Sequence, residues 1–241
     1  MISFENVSKS YGGDHTIIDN ISCHIQRGEF FVLVGASGSG KTTILKMINR
    51  LIEPSQGAIT LDGENITSLD LRQLRLETGY VLQQIALFPN LTVGENIELI
   101  PEMKGWSKGD QKKAASDLLD KVGLPAKDYF NRYPHELSGG EQQRIGILRA
   151  IVAKPKVLLM DEPFSALDPI SRRQLQDITK QLQSELGITL VFVTHDMKEA
   201  MRLADRICVI KEGKIVQLDR PEIIQNNPSD QFVRTLFEEE N

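Results

Sequence analysis

Phe30-Phe31-Val32-Leu33-Val34 runs directly into Gly35-Ala36-Ser37-Gly38-Ser39-Gly40-Lys41-Thr42, and a helical pattern follows at Thr43, Ile44, Leu45, Met47, Ile48 and Leu51. An apolar run without polar alternation reads as a strand covered on both faces. The turn after it fits G-x-x-x-x-G-K-[ST], in the strand–loop–helix order that makes this pattern specific. Glycines let a loop wrap an anion so that several backbone N–H groups converge on phosphate. The start of the next helix adds partial positive charge. Lys41 supplies a full charge to the β- and γ-phosphates of ATP, and the Thr42 hydroxyl is suited to Mg²⁺. Gly35, Ser37, Gly38, Ser39, Gly40, Lys41, Thr42 and Thr43 are thus the candidate nucleotide-binding residues.

Three further runs match the first: Val157-Leu158-Leu159-Met160, Leu190-Val191-Phe192-Val193 and Ile207-Cys208-Val209-Ile210. Helical patterns separate several of them, so an α/β fold with a mostly parallel sheet is expected. Ile2 to Val7, Ile17 to Ile25 and Ala58 to Leu61 are short and partly alternating, with turns at Gly12-Gly13 and Asp62-Gly63. They predict a flanking antiparallel sheet. Residues 85–154 lose the strand signal. Ser107 is placed to cap a helix there, Glu141 to Ala153 reads as another, and Pro101, Gly105, Gly123, Pro125 and Pro134 read as breaks. The expected organisation is a catalytic core at about 1–84 and 155–241, with a helical subdomain at about 85–154.

The second buried strand ends in Asp161-Glu162-Pro163. In parallel sheets that edge is where ligands bind. Asp161 is a candidate Mg²⁺ ligand and Glu162 a candidate general base toward water. Leu137-Ser138-Gly139-Gly140-Glu141-Gln142-Gln143-Arg144 is another Ser-Gly-Gly loop opening a helix. Its dipole contributes about 0.3–1 kcal/mol, up to ~2 when partly buried, which is too little to hold ATP alone. It reads as an accessory clamp for the γ-phosphate.

The 241 residues carry a net charge of −5, with no basic run, which argues against nucleic acid as a partner. Cys23 and Cys208 lie far apart in apolar, strand-like contexts and read as buried thiols rather than metal ligands. No basic segment followed by an apolar core opens the chain, and no apolar run approaches a membrane span of about 18 residues.

Taken together, these motifs resemble the nucleotide-binding subunit of ABC transporters, whose signature L-S-G-G-[Q/E]-Q-Q-R matches residues 137–144. The resemblance covers essentially the whole chain and implies a P-loop NTPase, RecA-like core with an antiparallel β subdomain and a helical subdomain. It places Gln83 on the Q-loop, touching Mg²⁺ or water, and Ser165-Ala166-Leu167-Asp168 on the D-loop. His195 falls on the switch histidine that contacts the γ-phosphate and the catalytic water, and Tyr11 on the aromatic that stacks on adenine. The other histidines, His15, His24 and His135, have no such context. Lys41, Gln83, Glu162 and His195 are then the catalytic set. Thr42, Gln83 and Asp161 are the Mg²⁺ set. Tyr11, the phosphate loop, Ser138, Gly139, Gly140 and Asp168 form the ATP-binding set. The family further implies a head-to-tail homodimer at the cytoplasmic face of the membrane. A multi-span permease docks on the region Gln83–Asn96, and an extracytoplasmic solute-binding subunit acts indirectly through that permease.

Residues 86–93, 168–172 and the tail around Pro221 and Pro228 are similar to import ATPases of this family. Residues 94–106 and 196–206 resemble the quaternary-amine importers, which take up glycine betaine, choline or carnitine. An importer for another small polar solute, such as an amino acid, is the alternative. Many members of the group add a C-terminal regulatory tandem domain; with the chain ending at Asn241, none is expected. A DNA-repair type ATPase would place a long coiled coil between Lys41 and Ser138, where no sustained heptads occur. A ribosome-associated factor would carry two cassettes. A kinase reading leaves Leu137 to Arg144 unexplained.

Overall fold

The computed structural model describes residues 1–12 and 16–238. In chain order the elements are β1 (Ile2–Ser10), β2 (Thr16–Ile25), β3 (Phe30–Val34), α1 (Lys41–Ile48), β4 (Gln56–Leu61), β5 (Glu64–Asn65), α2 (Leu71–Leu76) and β6 (Thr78–Val81). Helices follow: α3 (Val93–Met103), α4 (Lys108–Lys121), α5 (Ala126–Tyr129) and α6 (Gly139–Ile151). The chain then returns to alternation with β7 (Val157–Asp161), α7 (Pro169–Leu186), β8 (Thr189–Thr194), α8 (Met197–Leu203), β9 (Arg206–Lys211), β10 (Lys214–Asp219), α9 (Pro221–Asn226) and α10 (Gln231–Glu238).

Two sheets result. The larger has the order β10-β9-β3-β8-β7-β6, parallel from β9 to β6 with β10 antiparallel at its edge. The smaller is antiparallel, in the order β2-β1-β4-β5. Neighbouring side chains of the parallel strands point to opposite faces. Phe30, Val32, Val34, Leu158, Met160 and Phe192 pack under the later helices, whereas Phe31, Leu33, Leu159, Val191 and Val193 pack toward α1 and the antiparallel sheet. Burial on both faces is the reason these strands read as unbroken apolar runs.

The register positions the chemistry. Val34 lies opposite Thr194, Val193 opposite Asp161, and Met160 opposite Val81. The residues that follow these strands therefore leave the sheet side by side at one edge.

Two expectations need correction. Pro101 lies inside α3 rather than ending it. Val93, Ile97 and Pro101 recur every fourth residue on the buried face, and the Thr92–Glu95 capping box anchors the start, so packing and the cap outweigh the lost N–H donor. Cys23 is only half-buried: it shares a face of β2 with Ile21 and Ile25 and packs at the margin of that core. The strand β10 carries too weak an apolar pattern to be read from sequence; Glu212 (φ 48°) and Gly213 (φ 77°) form the tight turn that folds it back on β9. In the expected turn at Gly12-Gly13, Gly13 lies outside the described residues, as does His15.

Candidate active site

The phosphate loop closes on itself through its lysine. Lys41 is 5% exposed, and its Nζ donates to the carbonyl oxygens of Gly35 at 2.7 Å and Ala36 at 2.9 Å. Burial pulls its pKa below the usual lysine range, while the charges of Glu162 and Asp161 partly oppose that. The loop fits a bound polyphosphate on two counts. Ser39 Oγ is buried with no hydrogen-bond partner among the described residues. Gly40 adopts φ 103° with an added Cβ only 2.4 Å from Ile18 Cδ1, so backbone alone occupies that place. Such a concave run of backbone with a spare donor is what a phosphate site requires.

Across the sheet edge, Thr42 Oγ1 donates to Asp161 Oδ1 at 2.8 Å. Burial raises the Asp161 pKa, and the Thr42 bond restrains the rise. Glu162 turns out of the strand in a left-handed conformation, φ 44°, held by its N–H to the Val193 carbonyl at 3.0 Å and by Ser165 Oγ on its own carbonyl. This turn aims its carboxylate along the sheet edge, where Gln83 Nε2 donates to Oε2 at 3.4 Å and His195 Nδ1 lies 3.1 Å from the same oxygen. One carboxylate oxygen thus gathers an amide and an imidazole delivered by two other strands. Thr42, Asp161, Glu162, Gln83 and His195 converge as the register predicts.

Residues 18–165 match the family described as ABC transporter. The chain belongs to that family. It is 52% identical over 240 residues to the choline transport ATP-binding protein OpuBA of Bacillus subtilis (strain 168), covering 100% of this chain and 63% of that one. It is 48% identical to the osmoprotectant import ATP-binding protein OsmV of Salmonella typhimurium, over 97% of this chain and 62% of that one. The chain thus spans under two thirds of the length of these two relatives. A solved structure of the ATP-binding cassette MJ0796, dimeric and bound to ADP and Pi, superposes with TM-score 0.81 at 34% identity, covering 92% of this chain and 99% of that one. The fold is accordingly that of an ABC-type ATPase.

The ABC signature stands apart from this cluster. Ser138 caps α6, and no hydrogen bond joins Ser138, Gly139 or Gly140 to the phosphate loop among the described residues. Glu141, three residues on, closes a capping box: its Oε2 accepts from Ser138 N and from Ser138 Oγ, each at 2.8 Å. Tyr129 donates its phenol hydrogen to the other carboxylate oxygen at 2.6 Å and holds the Glu141 pKa low. Asp168 caps α7 by accepting from the N–H groups of Ile170 and Ser171 at 3.0 Å, and the Ser171 contacts keep its pKa low. Tyr11 is 48% exposed, with the Lys9 ammonium 4.8 Å from its ring centroid.

Several contributors escaped the reading of sequence. Asn96 is fully buried, accepts from Phe88 N–H and donates to the carbonyls of Phe88, Leu91 and Thr92, clamping the stretch after Gln83 onto α3. Arg149 Nη1 donates to the Ala86 carbonyl at 2.6 Å and so holds that stretch from α6. The Thr92-x-x-Glu95 pattern before Asn96 is a local signal for α3; nothing local signals the clamp.

Proposed function

We propose that this chain hydrolyses Mg-ATP and powers a membrane importer, with a quaternary amine or related osmoprotectant as the transported solute. The observation that carries this reading is the convergence of Gln83 and His195 on one oxygen of Glu162, at the sheet edge that also presents Lys41, Thr42 and Asp161. Glu162 is placed to take a proton from the attacking water, with Gln83 and His195 fixing its direction. Lys41 exchanges two carbonyl partners for phosphate oxygens. Thr42, Asp161 and Gln83 would hold Mg²⁺, which supplies charge neutralisation to those oxygens. Tyr11, exposed before the phosphate loop, is available to an adenine ring.

Ser138, Gly139 and Gly140 open α6 away from the phosphate loop of their own chain, and Asp168 caps the neighbouring helix. A second copy placed head to tail brings this signature onto the γ-phosphate held by the first. The working unit is therefore a homodimer, peripheral on the cytoplasmic face of the membrane.

The permease would dock beside Gln83. An apolar groove of about 550 Å³ lies there, lined by Leu82, Phe88, Leu99, Met103 and Arg149 among others. Phe88 and Met103 are each 51% exposed. A short cytoplasmic helix of a permease fits such a surface and reaches the Gln83–Asn96 stretch. The extracytoplasmic solute-binding subunit acts through that permease. The choline and osmoprotectant roles named for OpuBA and OsmV support the solute class.

The test is site-directed crosslinking in membranes that hold the permease, using Phe88→Cys and Met103→Cys. Cys208 is fully buried and Cys23 half-buried, and burial raises both thiols above their usual range, so the parent chain with its two native cysteines serves as the background control. Crosslinks to the permease from both positions, in cells that take up choline or glycine betaine, are expected. Crosslinks arising only from distant surfaces, such as a cysteine at exposed Ile170, contradict the docking surface.

A further inference from the structure

Glu199 is a carboxylate that the account above does not use, although it is only 7% exposed. Its Oε2 accepts from Thr194 Oγ1 at 2.7 Å and its Oε1 from Gln176 Nε2 at 3.1 Å. Its own N–H donates to Asp196 Oδ1 at 3.1 Å, and the N–H of Asp196 donates to Thr194 Oγ1 at 3.0 Å. Thr194 and Asp196 are the residues on either side of His195. The Glu199 carboxylate therefore holds Thr194 and the Glu199 backbone N–H holds Asp196, so this one residue bonds both neighbours of the imidazole that lies 3.1 Å from Glu162. Burying such a group costs free energy unless its partners are good ones. Desolvation does raise its pKa, against the bonds from Thr194 and Gln176.

The far side of this carboxylate faces α7. Gln176 belongs to that helix, and so does Arg172, whose Nε is 3.9 Å from Glu199 Oε1 and whose Nη1 is 3.6 Å from Asp196 Oδ2. These ion pairs are about 1 Å longer than a charge-assisted hydrogen bond. Arg172 Nε is buried without a hydrogen-bond partner among the described residues. Small movements of α7 along Glu199 therefore make or break polar contacts. Asp168 caps the start of α7.

We infer that Glu199 is a positioning residue for hydrolysis: it sets His195 against Glu162 and ties that setting to the position of the helix capped by Asp168. The inference rests on the catalytic reading of His195 given above. In physical terms, Thr194 is the hinge pin. Its hydroxyl donates to Glu199 and accepts from Asp196, so it braces the turn containing His195 from both sides. Without it, the Asp196 N–H loses its acceptor and the carboxylate its shortest donor, and the imidazole is free to leave Glu162.

The test uses the full chain with Thr194→Val, Thr194→Ser and Glu199→Gln. Valine matches threonine in shape and suits a strand, so Thr194→Val leaves the buried site filled. Two quantities are measured: steady-state ATPase kcat and KM, and the imidazole resonances of the four histidines, with His195→Ala identifying the His195 signal. Thr194→Val should move that signal and lower kcat at least tenfold while KM stays within twofold, because the phosphate loop is untouched. Thr194→Ser should restore both, and Glu199→Gln should move the same signal. An unmoved His195 signal in Thr194→Val and Glu199→Gln overturns the positioning role, whatever the rates. Equal changes in kcat and KM with no rescue by serine also overturn it, since that marks general disruption. A moved signal with wild-type kcat, matched by full activity in His195→Ala, instead refutes the catalytic reading of His195 itself.

Discussion

Substituting Gly40 by alanine separates a loop shaped for phosphate from a loop that is merely rich in glycine. Gly40 sits at φ 103°, and a Cβ there would lie 2.4 Å from Ile18 Cδ1 and 3.1 Å from the Ile17 carbonyl oxygen. Gly38, two residues earlier, has φ 78° and open space within 4 Å of its Cβ position. Gly38→Ala should therefore cost only the left-handed backbone term, about 1–2 kcal/mol. Gly40→Ala adds overpacking of about 1–3 kcal/mol, for a total of about 2–5 kcal/mol. The Ile18 methyl can rotate away, but the Ile17 carbonyl belongs to β2 and cannot. The loop must shift instead, turning the N–H groups around Gly40 off a bound phosphate. Urea unfolding of both variants gives the stabilities, and titration with a fluorescent ATP analogue gives the affinities. Equal stabilities for the two variants, with wild-type affinity in Gly40→Ala, would refute the packing argument for the cradle.

Lys41→Met removes a charge-assisted contact worth about 1.5–3 kcal/mol, so the same titration should show ATP binding weakened about 10- to 150-fold. Asp161→Asn removes a carboxylate whose pKa burial holds above its unfolded value. Stability from such a group is fully present below about pH 4 and is lost as pH rises through the folded value. Melting curves should find Asp161→Asn as stable as the parent near pH 4 and more stable at pH 8; a variant less stable at pH 8 contradicts this. Asn96→Ala leaves buried partners around Phe88 and Leu91 unmet, at a cost of about 1–3 kcal/mol. It should lower the melting temperature and the permease-stimulated ATPase while leaving ATP affinity within twofold.

The parts of this molecule that could be read in advance share a physical property: each is encoded within a few consecutive residues. Phe30–Val34 and Val157–Asp161 are buried on both faces, so their side chains alone mark them as central strands. Because such strands are parallel, whatever follows their C-terminal ends must gather at one edge, and Gly35, Glu162 and His195 do so. Pro101 failed as a punctuation mark because its ring fits the buried stripe of α3, a tertiary effect that no local rule contains. The Arg149–Ala86 bond joins residues 63 apart, and the Gln176–Glu199 bond residues 23 apart. Contacts of that kind leave no periodicity behind. The Glu199 cluster stayed hidden for the same reason, although Thr194 and Asp196 flank a residue that was in plain view.

The central claim is that Glu162 is the base that activates water while the phosphate loop binds ATP without it. Glu162→Gln keeps the size of the side chain and an oxygen to accept from Gln83 or His195, but removes the proton acceptor. Single-turnover hydrolysis of ATP by purified Glu162→Gln, measured alongside sedimentation, tests this directly. The account predicts ATP affinity near that of the parent, turnover lower by at least a hundredfold, which corresponds to about 2.7 kcal/mol, and a dimer that persists with ATP. Turnover equal to that of the parent would contradict it.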